Sequence, residues 1–231
     1  MKNLILISAY NGEATLSDVL LELKAYPELD ILVIDDGSTD KTAEIARNAG
    51  VNVISHDKNK GKGAALRTGM NFALRHNAEA IITMDADKQH PAVKIRDFLD
   101  LHALYPDAVI LGKRERDKNM PCTRKFSNSV SAALISWRIA HKIYDAQCGF
   151  RLIPGKYLHW HFSNINGFIF ESEVLITLAL NGVDFKFVPI QTIYPQSGQT
   201  KMTYFDSTIG FIFMYISSFF KSYKQDEHDI Q

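Results

Sequence analysis

Asp85, Asp87 and Gln89 occupy alternate positions where an apolar run, Ile81-Ile82-Thr83-Met84, stops. Residues two apart in an extended segment point the same way, so the two carboxylates can converge on one hard cation, with Gln89 as a third oxygen ligand. Mg2+ or Mn2+ bridging a diphosphate is the natural use of such a set. The same residues, ahead of Pro91, also suit the cap of a helix over residues 92–105, and the stretch alone leaves both readings open. A second stretch with chemistry in it is Asp57-Lys58-Asn59-Lys60-Gly61-Lys62-Gly63, which sets three lysines and two glycines before a helix. Backbone N–H and ammonium groups can approach an anion closely there, and a solvated turn is the alternative.

The elements that must hold these residues are legible as apolar runs. Residues 80–84 read as a short buried strand, apolar and β-branched as the core of a parallel sheet demands. Strands are expected over 4–8, 31–34, 51–55 and 108–111. Helices are expected over 15–25, from the turn at Asp40 to about Ala49, and over 64–76 and 92–105; Leu16, Val19, Leu20 and Leu23 give the first its apolar face. Four strand–helix units in succession predict an α/β domain with a mostly parallel central sheet, right-handed crossovers and helices on both faces. In open sheets of this kind ligands bind at the carboxyl ends of strands, which is where the acids fall. Residues 1–112 form this regular half.

Residues 113–204 are less regular. They hold a basic loop to Lys125, a helix over 126–141, a loop over 145–151, a helix opening at Phe168-Ile169-Phe170-Glu171, extended segments over 185–189 and 192–194, and a polar loop over 197–201. Such irregularity suits an acceptor site. No Gly-x-Gly-x-x-Gly follows the first strand and no Gly-x-x-x-x-Gly-Lys-[Ser/Thr] occurs, which excludes the ordinary dinucleotide and P-loop fingerprints.

With 231 residues and 46% hydrophobic content, the chain suits one substantial domain. Lysine plus arginine and aspartate plus glutamate each number 26, so bulk charge gives no reason to expect nucleic acid. Two cysteines, Cys122 and Cys148, and an amino terminus that runs straight into a strand lead us to expect a cytoplasmic protein with free thiols. The longest apolar stretch, residues 209–220, is interrupted by Ser217 and Ser218 and falls short of the roughly 20 residues of a spanning helix.

Six motifs, in order, carry a resemblance: Ala9-Tyr10-Asn11-Gly12-Glu13, Val33-Ile34-Asp35-Asp36-Gly37-Ser38-Thr39-Asp40, Gly61-Lys62-Gly63, Asp85-Ala86-Asp87-Lys88-Gln89-His90, Gln147-Cys148-Gly149-Phe150-Arg151 and Gly167-Phe168. Together they resemble family 2 glycosyltransferases, in the dolichyl-phosphate mannosyltransferase-like branch. The resemblance implies the GT-A fold, a nucleotide-diphosphate sugar donor, a divalent metal, and inversion at the anomeric carbon without a covalent enzyme intermediate. It implies that Asp87 holds the metal with Gln89, that Asp85 either shares the metal or leans towards the ribose, and that Tyr10, Glu13, Asp36 and Lys62 line the base and ribose pocket. Arg114, Arg124, Arg151 and Lys201 are the cations expected around the phosphates or an anionic acceptor, since forked guanidinium donors match phosphate oxygens; each taken alone suits a solvated surface charge. Asp145 and Glu171 are the base candidates, which a hydroxyl acceptor needs and a phosphate acceptor does not; Glu171 also suits a helix cap. The sequence departs from the family pattern at Ala9, where proline is usual, and at Gly12, inserted ahead of Glu13.

The resemblance branch implies a polyprenyl phosphate acceptor at the cytoplasmic membrane face. Residues 126–141 and 205–223 combine aromatic and apolar positions with basic residues at their ends, as a helix lying in a bilayer surface does; packing on the sheet or contact between copies is the alternative. The rival functions are a soluble transferase acting on a saccharide or protein hydroxyl, and a non-catalytic nucleotide-sugar-binding or scaffold protein.

Overall fold

A computed structural model of the protein describes residues 2–115, 122–160, 169–191 and 204–220. Its centre is a seven-stranded sheet whose first strand, β1 (Asn3–Ala9), runs between β2 (Asp30–Asp35) and β4 (Ala80–Asp85), parallel to both. Leu4, Ile5, Leu6 and Ile7 are all fully buried, because a central strand of a parallel sheet is covered on both faces. Leu4 and Leu6 face α3 (Lys62–Arg75), whose Gly69 lets the helix sit directly on the Leu6 side chain. Ile5 and Ile7 face the opposite core, with Leu16, Val19, Leu20 and Leu23 of α1 (Leu16–Leu23). β3 (Asn52–Ser55) continues the parallel run outward from β2, with α2 (Thr42–Asn48) crossing over to it.

Beyond β4 the order becomes β4, β6, β5, β7, formed by β5 (Val109–Arg114), β6 (Arg151–Pro154) and β7 (Phe185–Ile190). The helix α4 (Ile95–Leu104) leads into β5 on the α1 side. The helices α5 (Cys122–Ile139), α6 (Ile169–Leu180) and α7 (Tyr204–Ser217) join the α3 side. The expected α/β architecture with helices on both faces is therefore present, and one sheet runs through both halves of the chain.

β6 is a departure: it is antiparallel to both β4 and β5 and lies inside the sheet, where the loop over 145–151 was expected to end. Its four residues are all buried and show no alternation, and Pro154 at its end argues against a central strand. Proline is accommodated there at the last position, before Gly155 turns against the Ala78 carbonyl, an approach that leaves no space for a side chain. This insertion matters for the site, because Thr83 Oγ1 donates to Gly149 O at 2.6 Å and so fixes the loop ahead of β6 over the end of β4. Cys148 in that loop is buried and free, its thiol pushed up to about 12 by burial. The expected extended segment at 192–194 lies outside the described residues, and among the described residues no helix is long and apolar enough to cross a membrane.

Candidate active site

Lys62 opens α3 immediately after Gly61, whose φ of +88° suits a residue without a side chain. Its Nζ lies 2.6 Å from Asp85 Oδ1 and 3.4 Å from Glu171 Oε2. One ammonium thus joins the end of β4 to the first turn of α6, across the two halves of the chain. Burial works against the charge on Lys62, yet Asp85 and Glu171 prevail and hold it above the ordinary lysine range. Burial also works against the charge on Asp85, and Lys62 with His90 prevails, holding that carboxyl below its ordinary range.

Gly149 closes the cluster from above. A Cβ there would stand 2.8 Å from Lys62 Nζ, 2.9 Å from Asp85 Oδ2 and 3.1 Å from Glu171 Oε1. The three charged ends meet because residue 149 has no side chain. Gly149→Ala is expected to lower kcat about a hundredfold by displacing them, while the melting temperature moves by only a few degrees because flexible side-chain ends, not backbone, must give way. Steady-state kinetics beside a melting curve checks this, and full turnover in the variant would remove the cluster from the chemistry.

Asp87 is exposed two residues on, and among the described residues no lysine, arginine or histidine pairs with it. Partial burial and the neighbouring Asp85 charge raise its pKa. Gln89 holds the carboxylate in place through its backbone N–H (3.1 Å to Oδ1) and its side-chain amide (2.6 Å to Oδ2). Among the described residues no three His, Cys, Asp or Glu side chains form a cage. One open carboxylate, an amide beside it and a second carboxylate upstream are the small oxygen set used by a Mg2+ or Mn2+ ion that takes its remaining ligands from phosphates and water. The residues present fit such an ion, with Asp87 and Gln89 its nearer holders and Asp85 committed to Lys62.

His90 was given no role from the sequence, and it supports this turn. Its Nδ1 accepts the Asp85 backbone N–H at 3.1 Å, which leaves the proton on Nε2, 3.8 Å from Asp85 Oδ2. Burial pushes the imidazole down to about 4 despite Asp85, so it is neutral at pH 7. The ring stacks on Phe150, which stacks in turn on Phe98, so the aromatic core reaches directly beneath the acids.

Asp36, expected in the pocket wall, is instead a buried latch, only 3% exposed. It accepts the N–H groups of Lys60 (3.0 Å) and Gly61 (2.8 Å) and the His56 Nδ1 proton (2.6 Å). His56 Nε2 continues to Thr68 Oγ1 on α3 at 2.9 Å. The carboxylate therefore ties the lysine–glycine loop to β2 and places Lys62, two residues beyond Lys60. Gly37, at φ +71°, makes this close approach feasible, since a Cβ there would collide with the backbone of Lys58 and Asn59.

The turn after β1 is laced to the turn after β2. Asn11 N donates to Ser38 Oγ (2.9 Å), Gly12 N to Thr42 Oγ1 (2.7 Å) and Glu13 N to Asp40 Oδ2 (3.0 Å), while Lys41 N donates to Glu13 Oε2 (3.0 Å). Glu13 is exposed, and one of its carboxylate oxygens accepts the Lys41 N–H just ahead of α2. The inserted Gly12 contributes a bond of its own to the lacing. Tyr10 is exposed at the end of β1, beside the strand ends.

Two of the expected cations, Arg114 and Arg151, are also spoken for. Arg114 grips Asp145 through two bonds, Nε to Oδ2 (2.6 Å) and Nη2 to Oδ1 (2.9 Å), so neither the expected phosphate ligand nor the expected base is open. Arg151, at 3% exposure, donates to the carbonyls of Cys148 (2.8 Å), Glu171 (2.7 Å) and Ala146 (2.8 Å). It sets the backbone beneath Gly149 and Glu171 and does not face a phosphate, which corrects the expectation for it. The side chain of Arg124 and all of Lys201 lie outside the described residues. Of the expected residues, the fold brings Lys62, Asp85 and Glu171 into contact, with Asp87 and Gln89 at their edge.

Residues 4–161 match the sequence family described as glycosyl transferase family 2. The chain is 31% identical over 205 residues to an uncharacterized protein of Methanocaldococcus jannaschii, spanning 86% of this chain and 84% of that one. It is 28% identical to a UDP-N-acetylglucosamine–dolichyl-phosphate N-acetylglucosaminyltransferase of Methanococcus voltae, spanning 91% and 92%. It is 30% identical to a dolichyl-phosphate beta-glucosyltransferase of Trichomonas vaginalis, spanning 85% of this chain and 64% of that one. Among solved structures, glucosyl-3-phosphoglycerate synthase of Mycobacterium tuberculosis with Mn2+, UDP-glucose and phosphoglyceric acid superposes with a TM-score of 0.73, covering 94% of this chain and 79% of that one. At 17% identity that likeness is one of fold.

Proposed function

The chain belongs to glycosyl transferase family 2 and has the GT-A fold, and from that premise we propose that it transfers a sugar from a nucleoside-diphosphate sugar to a polyprenyl phosphate, with inversion and with Mg2+ or Mn2+. The observation that carries the choice of acceptor is the state of the two candidate bases. Asp145 is held at both oxygens by Arg114, and Glu171 lies against Lys62. A hydroxyl acceptor needs a carboxylate free to take its proton, whereas a phosphate arrives ionised and needs none. The relatives named as acting on dolichyl phosphate support the same acceptor class.

In this reading an acceptor phosphate oxygen attacks the anomeric carbon as the bond to the diphosphate breaks, and the nucleoside diphosphate leaves with the bonding pair. Asp87 and Gln89 would hold a divalent cation, which would supply Lewis-acid neutralisation of the leaving group. The Lys62 ammonium, placed by the Asp36 latch, adds positive charge beside the diphosphate and keeps Asp85 ionised. Glu171 fixes Lys62 from the acceptor side, and Arg151 fixes the backbone under both. Tyr10 and the laced turns after β1 and β2 are left to receive the nucleoside. The isoprenoid tail of the acceptor puts the reaction at a membrane surface, on the cytoplasmic face.

The test is incubation of the protein with UDP-, GDP- or dTDP-sugars, Mn2+ and polyprenyl phosphate, with the radiolabel followed into the organic phase. A lipid-linked sugar from one donor is expected. No lipid product from any donor, with transfer to a soluble saccharide instead, would overturn the acceptor and favour the hydroxyl-directed reading.

A further inference from the structure

The outward faces of the helices are of two kinds. α1 and α4 present Asp18, Glu22, Arg96, Asp97 and Asp100 to water, as surface helices do. Residues 210–220, at the end of α7, contain no charged side chain at all. Ile212, Phe213 and Ile216 stand exposed there, followed by Phe219 and Phe220, and Phe213 and Phe220 are 74% and 85% exposed. Trp137 of α5, 72% exposed, lies beside them, its ring 5.9 Å from that of Phe219.

The patch is rigid. Tyr215 Oη donates to Leu134 O (3.1 Å), and Arg138 Nη2 donates to Ser218 O (2.6 Å) while its guanidinium covers the Phe219 ring. The two helices therefore present one joint apolar face.

Cations border it. Lys142 follows α5, and its ammonium sits 4.9 Å from the centre of the Tyr144 ring, with that of Lys113 at 4.1 Å. Tyr144 is held edge-on against Phe187. Among the described residues no carboxylate pairs with either lysine. Arg114, next to Lys113, and Asp145, next to Tyr144, form the ion pair at the site, so these lysines adjoin the acceptor half.

We propose that the α5–α7 face with Lys113 and Lys142 docks on an anionic lipid bilayer, a proposal that rests on the lipid-acceptor reading and names the surface that serves it. Aromatic and aliphatic side chains with basic residues at the margin are the composition of a segment lying in the headgroup boundary. Charge decides against a second copy of the chain. Residues 129–142 and 210–220 contain no acid through which a second copy could meet Lys113 and Lys142.

Co-sedimentation with vesicles tests this, comparing phosphatidylcholine alone with phosphatidylcholine containing phosphatidylglycerol. The protein is expected to bind the anionic vesicles about tenfold or more tighter at low salt, the preference fading as salt rises. Phe213→Ser and Phe220→Ser should each weaken binding about tenfold, and Lys113→Gln and Lys142→Gln about fivefold each, on anionic vesicles only. Phe213, Phe220 and Lys142 are exposed and Lys113 is half-buried with its ammonium over Tyr144, so melting temperature should move little and transfer to a short-chain, water-soluble polyprenyl phosphate should stay as in the wild type. Equal vesicle binding by wild type and the phenylalanine variants would overturn the proposal. So would a dimer that Phe213→Ser dissolves in a protein that binds no vesicles. Vesicle binding as described, with no sugar reaching any lipid phosphate, would leave docking in place and sink the acceptor reading alone.

Discussion

Asp87→Ala is expected to give a folded protein whose metal-dependent transfer has fallen about a thousandfold or more, roughly 4 kcal/mol of transition-state stabilisation. The carboxylate is exposed and its two bonds are local ones to Gln89, so removing it breaks nothing between elements. Stability should move in the opposite direction to activity. Partial burial and the Asp85 charge raise the Asp87 pKa in the folded chain without metal. An acid whose folded pKa is raised favours the fold while protonated, and that advantage is lost as pH climbs through the raised value. At pH 7 the metal-free wild type therefore carries a penalty that the alanine variant lacks.

Without metal at pH 7, the variant should melt at the same temperature as the wild type or slightly above it, and the difference should vanish near pH 4. Added Mn2+ with nucleoside diphosphate should raise the wild-type melting temperature and leave that of the variant unchanged. Melting curves at the two pH values, with and without the ligands, separate this from a helix-capping role. Loss of a cap costs about 1 kcal/mol, and it would lower the melting temperature with turnover largely kept.

The apolar runs that became β1, β2 and β4 were readable because burial on both faces of a parallel sheet leaves an unbroken apolar stretch, and Asp85 was readable as the end of one of them. Strand alternation does not extend to Asp87 and Gln89, which lie past β4 in a turn with Lys88 at φ +63°. Asp36 shows the limit. A carboxylate after a strand reads as a pocket group, and nothing local says that the N–H groups of Lys60 and Gly61, more than twenty residues away, will consume it. Arg151 is similar: a guanidinium in a matched motif suggests phosphate, and only the turn from Ala146 to Arg151 and the arrival of α6 reveal three carbonyls around it. β6 escaped because four buried residues ending in proline have neither the length nor the alternation of a strand signal. His90 lay inside a quoted motif, and its support of Asp85 depends on a backbone bond that composition cannot show.

Lys62→Met tests the joint between the halves, and it should fail in both stability and activity. Two carboxylates would be left facing each other across Gly149 with no cation between them. Stranding a buried charge costs about 3–5 kcal/mol, and the low end applies here because a quarter of the Asp85 side chain remains exposed. For a chain of this length about 3 kcal/mol is a fall of roughly 10 °C in melting temperature. Activity should fall at least about a hundredfold, since the leaving diphosphate loses an ammonium and Asp85 loses its anchor.

The pH dependence identifies the pair. Asp85 is depressed, so its contribution is present above the ordinary carboxylate range and is lost as pH falls through its folded value; Lys62 is raised, so its contribution is present below the ordinary lysine range and is lost as pH rises through its folded value. The wild-type advantage over the variant should therefore be full between about pH 4 and about pH 10 and shrink outside it. Pairing Lys62→Met with Asp85→Asn should recover part of the stability, because the stranded charge is gone, and none of the activity. A Lys62 variant that melted like the wild type would show the ammonium to be a solvated surface charge, and the assembly built around it would have to be abandoned.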